Sequence, residues 1–342
     1  MLFQTKRFRM AMTACLAAGV LLTALVAGGC GGTKEAGTAS SSSAASGQKI
    51  ILGQSSWIGY APLYIADDKG FFKQHGVDVE IQPIESKADS KSALASGRIQ
   101  GLSTTVDVHV INAAAGLDSV QILALDTSDG GDGIVAKKEY KTLEDLKGKK
   151  VAMDTTGVAY FWFLYQLKQK GMDVSEFDVQ NMASGDAGAA FLAGNVDAAV
   201  TWEPWLTKIQ KSDLGYTMVN SKETPGVIVD TLAVDRKTLE ANPEAAKGIA
   251  AAWYDALAFM KEHPEEAMDL LAKHLGEKKE DIQSELKNVH FYDQAENKAY
   301  FGTKENPGNL YKITKMVSDL WLKHGIIKKA VDAERLLDGS GL

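Results

Sequence analysis

LGQSSWIGY at Leu52–Tyr60 and VAMDTTGVAY at Val151–Tyr160 decide the fold. Each reads as a short β-rich run, two adjacent hydroxyl residues and a helix start. Further along, ALASGRIQGLSTT (Ala93–Thr105) and FLAGNVDAAVTW (Phe191–Trp202) are each a helix end, a glycine stop and a strand. Chance rarely repeats both order and spacing, so the chain reads as two similar lobes built on one plan.

Outward from these segments, strands alternate with helices. In lobe one, strands are expected at 49–53, 77–84, 101–104 and 120–125, with helices at 61–75, 89–96 and 106–115. In lobe two, strands at 150–153, 179–182, 198–201 and 216–219 alternate with helices at 158–170, 187–192 and 204–211. Such alternation implies an α/β fold with parallel sheets covered on both faces. After Pro225-Gly226, VIVDTLAV (Val227–Val234) is a long strand returning to lobe one. Helices follow at 243–263, 264–275, 279–287 and 310–324, with Pro264 dividing the first two. Their apolar spacing predicts a helical C-terminal tail packed on lobe one. The expected boundaries are 48–137 for the first part of lobe one, 138–229 for lobe two and 230–342 for the return.

The chain has 342 residues, enough for two cores, and a net charge of -7. No basic block follows residue 9, which disfavours a nucleic-acid groove. At the start, Lys6, Arg7 and Arg9 precede an uncharged apolar run, Met10–Gly29, that leads to Cys30. That is an export signal over residues 1–29. The Ser/Ala/Gly-rich stretch through residue 47 reads as a flexible tether. Cys15 lies inside the signal, which leaves Cys30 as the single cysteine of the processed chain and rules out a disulfide framework. The segment resembles a bacterial lipoprotein processing site, with Ala27 standing where that pattern usually has leucine. The resemblance implies a lipid on Cys30 and an extracytoplasmic, membrane-anchored protein. An uncleaved anchor helix is the alternative.

In open parallel sheets, ligands bind beyond the carboxyl ends of the strands. Those ends carry Ser56, Trp57, Thr105, Asp107, Asp126, Asp129, Thr155, Trp202 and Glu203, with Asp230 on the return strand. Tyr60, Gly157 and Tyr160 lie at or near helix starts. Two lobes facing each other across these edges form a hinged cleft. The arginines are Arg7, Arg9, Arg98, Arg236 and Arg335, none at a predicted strand end facing the cleft. A planar guanidinium favours sulfonate or nitrate recognition, so its absence weakens an anionic ligand. Carboxylates beside indole faces suit a cation or an amine-bearing zwitterion. Asp154 is expected to cap the helix near Val158, and Asp132 to belong to the Gly130–Gly133 turn. Asp126, Asp129 and Asp132 lack the spacing of a calcium loop, and no metal or other cofactor is expected.

From about Ile50 to Lys323 the chain resembles the periplasmic-binding-protein type 2 family. GYAPLYIADDKGFFKQHGVDVEI, ALASGRIQG, LEDLKGKKVAMDTTGVAYF and GNVDAAVTWEPW carry the resemblance. Its nearest group takes up taurine, aliphatic sulfonates, nitrate and pyrimidine precursors. STTVDVHVINAAAG and GGDGIVAKK look closer to a branch found with urea- and guanidine-carboxylating systems. The resemblance implies a monomeric solute-binding protein that delivers a small molecule to an ABC permease and its ATPase. The rivals are a pyrimidine-forming enzyme on the same fold and a ligand-reporting partner of a membrane sensor. Catalysis would need a nucleophile or a poised base. Only His109 falls near the cleft, one helical turn into a segment where a packed histidine is commoner, so no catalytic residue is assigned.

Overall fold

A computed structural model describes residues 48–342. The expected signal, Cys30 and the tether lie outside the described residues. The first sheet comprises β1 (Ile50–Gln54), β2 (Val79–Pro83), β3 (Gly101–Thr105) and β4 (Ser119–Ser128). The second comprises β5 (Asp132–Lys137), β6 (Lys150–Met153), β7 (Asp178–Asn181), β8 (Ala198–Trp202) and β9 (Gly215–Asn220). Two later strands, β10 (Val229–Asp235) and β11 (Val289–Phe291), return to the first sheet.

The strand orders are β11-β4-β10-β3-β1-β2 and β7-β6-β8-β5-β9. Apart from β11 at one edge, the two sheets share one pattern: second, first, third, crossing strand, fourth. This is the internal repeat in three dimensions, and the architecture is two α/β lobes joined by crossing strands. Both sheets are mixed rather than parallel. The crossing strand β10 runs antiparallel to β3 and β4, β5 runs antiparallel to β8 and β9, and β11 runs antiparallel to β4.

β5 also moves a boundary. Asp132–Lys137 was expected to close the first part of lobe one, but it pairs between β8 and β9 in lobe two. Its apolar run is only Ile134-Val135-Ala136, all fully buried, too short to announce a central strand. The expected helix over 61–75 is two helices, Ala61–Asp68 and Phe71–Gln74. Gly70 separates them at φ 71°, a left-handed conformation that glycine adopts without steric cost.

Lobe one buries Leu52, Leu63, Ile65, Phe72 and Trp253 in one core. The helix Ala245–Glu262 packs there, against the helices that follow β1. The tail does not all stay on lobe one. Trp321, on the helix Asn309–Lys323, shares a core with Val106 and Val110 of lobe one and with Phe161, Trp162 and Val200 of lobe two. Its ring meets Phe161 edge-on at 5.9 Å, and its Nε1 donates to the Asp107 carbonyl at 3.1 Å. One apolar cluster therefore runs through both lobes by way of this helix.

Candidate functional site

Antiparallel crossing strands bring their amino ends to the edge where the parallel strands end. Asp230, the second residue of β10, lies opposite Thr105 of β3 on one side and Asp126 of β4 on the other. Asp132 opens β5 opposite Trp202 of β8. The two rows face a cavity lined by Ser55, Trp57, Tyr60, Lys87 and Thr105, and by Asp132, Val158, Trp202, Ile228 and Asp230. It encloses about 310 Å³ of empty space including its mouth.

Its walls are held by hydrogen bonds between side chains far apart in the chain. Trp57 Nε1 donates to Asp126 Oδ1 at 3.1 Å, and the Tyr60 hydroxyl donates to Asp230. Ser128 Oγ accepts from the Asp132 N–H at 3.1 Å, and Lys87 Nζ donates to Thr104 Oγ1 at 3.2 Å. Gly59 is required by close approach. A Cβ there would lie 2.1 Å from Asp126 Oδ2 and 2.3 Å from Trp57 Nε1. Gly59→Ala is expected to force Trp57 and Asp126 apart and weaken solute binding at least tenfold, with circular dichroism unchanged; calorimetric titration checks it.

Electrostatically the cavity is acidic. Asp107, Asp126, Asp132 and Asp230 are all at least nine-tenths buried, and among the described residues the one ammonium on the lining is Lys87. Burial is the leading cause in each case. It raises Asp107 to about 6 against the pull of Lys87, and Asp132 to about 7 with the repulsion of Asp107 and Glu203. Asp126 and Asp230 repel each other and are both raised. Asp107 Oδ2 and Asp126 Oδ2 have no hydrogen-bond partner, and neither has Thr105 Oγ1. Buried acceptors without donors cost free energy.

The same cavity also has a positive feature. The helices Val106–Ala114 and Val158–Gln169 begin at its edge, and neither has a side-chain cap on its first N–H groups. Helix N-termini attract negative charge.

Of the residues expected from sequence, Trp57, Tyr60, Thr105, Trp202 and Asp230 line the cavity. Asp126 and Asp107 stand immediately behind it. Ser56 and Glu203 line the outer cleft, where Ser56 N–H donates to Glu85 at 2.9 Å. Asp129, Thr155, Gly157 and Tyr160 are not on the lining. Asp129 donates its N–H to Asn288 where the chain crosses between lobes, and Thr155 donates to Asn181 Oδ1 at 3.1 Å. Gly157 is the residue preceding the helix whose first member, Val158, reaches the cavity. Tyr160 stacks on Trp321 at 6.1 Å, as part of the shared core. Asp154 turns onto Thr156 rather than capping the helix.

Asp132 and Lys87 also line the cavity, beyond the residues expected from sequence. Asp132 looks like a turn residue in sequence because the short β5 carries little strand pattern. Lys87 opens the helix after β2, in a segment with no motif to mark it. His109 is a core histidine: it is 3% exposed, its Nε2 faces the Thr231 carbonyl at 3.2 Å, and burial lowers its pKa to about 4.

The NMT1/THI5 like family matches residues 57–267. A binding protein of Brucella abortus (strain 2308) is 26% identical over 231 residues, 66% of this chain and 70% of its own length. The taurine-binding periplasmic protein of Escherichia coli (strain K12) is 26% identical over 193 residues, 55% of this chain and 59% of its own. Among solved structures, the aliphatic sulphonate binding protein SsuA from Escherichia coli superposes with a TM-score of 0.72. It is 21% identical over 85% of this chain and 97% of that one. The nitrate-binding protein NrtA from Synechocystis PCC 6803 gives 0.68 at 19% identity, over 86% of this chain and 87% of its own.

Proposed function

The chain belongs to the NMT1/THI5-like family, and from that premise we propose that it captures a small solute outside the cytoplasm and hands it to an ABC importer. It acts without chemistry, as a monomer held to the membrane through Cys30, with the permease and ATPase as its partners. The solute is a nitrogen-containing cation or zwitterion: an amine, a guanidine or a taurine-like molecule. One observation carries this reading: Asp230 of lobe one and Asp132 of lobe two face one cavity that no arginine among the described residues lines. Without a solute the two carboxylates repel across the cleft. A cation between them turns that repulsion into attraction and draws the lobes together. Trp57 and Trp202 add aromatic faces on the same lining.

A second reading has its own support. The uncapped helix N-termini and Lys87 suit a sulfonate or nitrate, as the names of the relatives suggest. A zwitterion would use both features, its ammonium on the aspartates and its anionic end at the helix starts.

The pH dependence of binding separates these readings. A cation lowers the pKa of the carboxylates it touches, so its binding expels protons wherever Asp132 and Asp230 are protonated in the unliganded cleft. Both lie near about 7 there. Affinity for a cation such as methylguanidine should therefore climb from pH 5.5 to about 7, by up to tenfold per unit for each proton released. Titration calorimetry in buffers of different ionisation enthalpy reads the protons directly. An anion would show the reverse trend, and nitrate or methanesulfonate binding best at pH 5.5 would overturn the cationic reading.

A further inference from the structure

Lys87 is poorly explained by the stability of the fold. It is the first residue of the helix Lys87–Ala95, and a cation in the first turn of a helix works against the helix dipole. Among the described residues it forms no ion pair that would compensate. The side chain is half-buried, and its Nζ reaches past the end of β1 to donate to Thr104 Oγ1 of β3 at 3.2 Å. That tether holds the ammonium at the cavity, whose lining includes both Lys87 and Thr105.

A second donor stands on the same lining. Thr105 is 6% exposed, and its Oγ1 has no hydrogen-bond partner. It precedes the helix Val106–Ala114 without capping it, so the hydroxyl and the first N–H groups are left to donate elsewhere. Against these donors stand the buried carboxylates of Asp132 and Asp230, with Asp107 and Asp126 behind them. Burial raises Asp107, Asp132 and Asp230, and the charge of Lys87 opposes that rise in all three. The ammonium is felt by each of these aspartates and paired with none.

We propose that Lys87 is the specificity-determining residue of the cleft: its ammonium takes the anionic end of a short zwitterion whose cationic end lies with Asp132 and Asp230, and it turns plain cations away. The assignment rests on the cationic reading of the cleft and narrows the solute to an amino or guanidino acid, carboxylic or sulfonic. Specificity is a difference of affinities, and a repelling group sets it as well as an attracting one. A plain cation gains the aspartates but meets Lys87. A plain anion gains Lys87 and the helix starts but meets buried aspartates, after passing Glu85, Asp154 and Glu203 of the outer cleft. A zwitterion offers each charge its opposite. The cavity, about 310 Å³ with its mouth, limits the spacer between the two ends to a few carbons.

Two matched pairs of probes test this, the members of each differing by one anionic group: methylguanidine with guanidinoacetate, and ethylamine with taurine. Titration calorimetry on the full chain near neutral pH should show each zwitterion at least about tenfold tighter than its cation. Lys87→Met should weaken the zwitterions at least about tenfold and strengthen the cations about threefold, because attraction and repulsion vanish together. Lys87→Gln should do the same if the methionine variant fails to fold. Lys87→Arg, which keeps the charge, should keep the order of the parent. A merely structural role would shift both members of a pair by one factor, and that result would overturn the assignment. So would cations that bind the parent as tightly as their zwitterions. Both outcomes leave the cationic reading standing, since the cations still bind. If no member of either pair binds, the cationic reading itself falls and takes the role of Lys87 with it.

Discussion

Asp230→Asn is expected to abolish useful capture of a cationic solute while leaving the fold intact. Asparagine keeps the shape, and its Oδ1 can still accept the Tyr60 hydroxyl that holds Asp230 now. What disappears is the negative charge on the lobe-one wall. Removing one member of a buried charge pair costs about 2–5 kcal/mol, so affinity should drop roughly 30-fold to more than 1,000-fold. The unliganded protein should be no less stable at pH 8. A buried aspartate repelled by Asp126, Asp132 and Asp107 is a liability until a ligand arrives. Titration calorimetry gives the first quantity and thermal melting the second. Undiminished affinity for methylguanidine would remove Asp230 from the site. A gain in sulfonate affinity would point to the helix N-termini as the true anchor.

Trp321→Ala should be the most damaging single substitution for stability. The ring is fully buried and bridges Phe161 of lobe two to the helix beneath Asp107, and its Nε1 satisfies the Asp107 carbonyl. Truncating a buried tryptophan to alanine costs about 3–5 kcal/mol through lost transfer energy and an unfilled cavity. Trp321→Phe restores most of the packing and loses the hydrogen bond, worth about 1 kcal/mol. Urea unfolding of both variants separates the two contributions. Equal losses would mean that the hydrogen bond, not the bulk of the ring, dominates.

The two-lobed plan was legible because the repeat between Leu52–Tyr60 and Val151–Tyr160 survives in the sequence as strand, hydroxyl pair and helix start. Long amphipathic segments such as Pro264–Leu275 were equally plain, since proline marks one end and Gly276 the other. β5 was not legible. Three apolar residues after Gly130-Gly131-Asp132-Gly133 look like a turn, and only pairing on both sides makes them a strand. That single omission hid Asp132, which faces Asp230 across the cleft. Trp57 and Trp202 are legible as cavity-lining residues because they stand at strand ends, where the edge of an α/β sheet opens. Tyr160 was misplaced because its position one turn into a helix does not tell which way the ring points. Trp321, its stacking partner, lies far along the chain.

Each sheet is completed by a strand that arrives from the other lobe, and this governs the order in which a newly made chain can fold. The second sheet has all its strands once Asn220 has emerged, whereas the first must wait for β10 and then β11, ending at Phe291. The segment made earliest is thus the last to find all its neighbours, so β1 to β4 remain an unfinished, adhesive surface during most of synthesis. Severing the chain between β4 and β5 would not yield two independent halves, because the later fragment would keep β10 and β11, which belong to the first sheet.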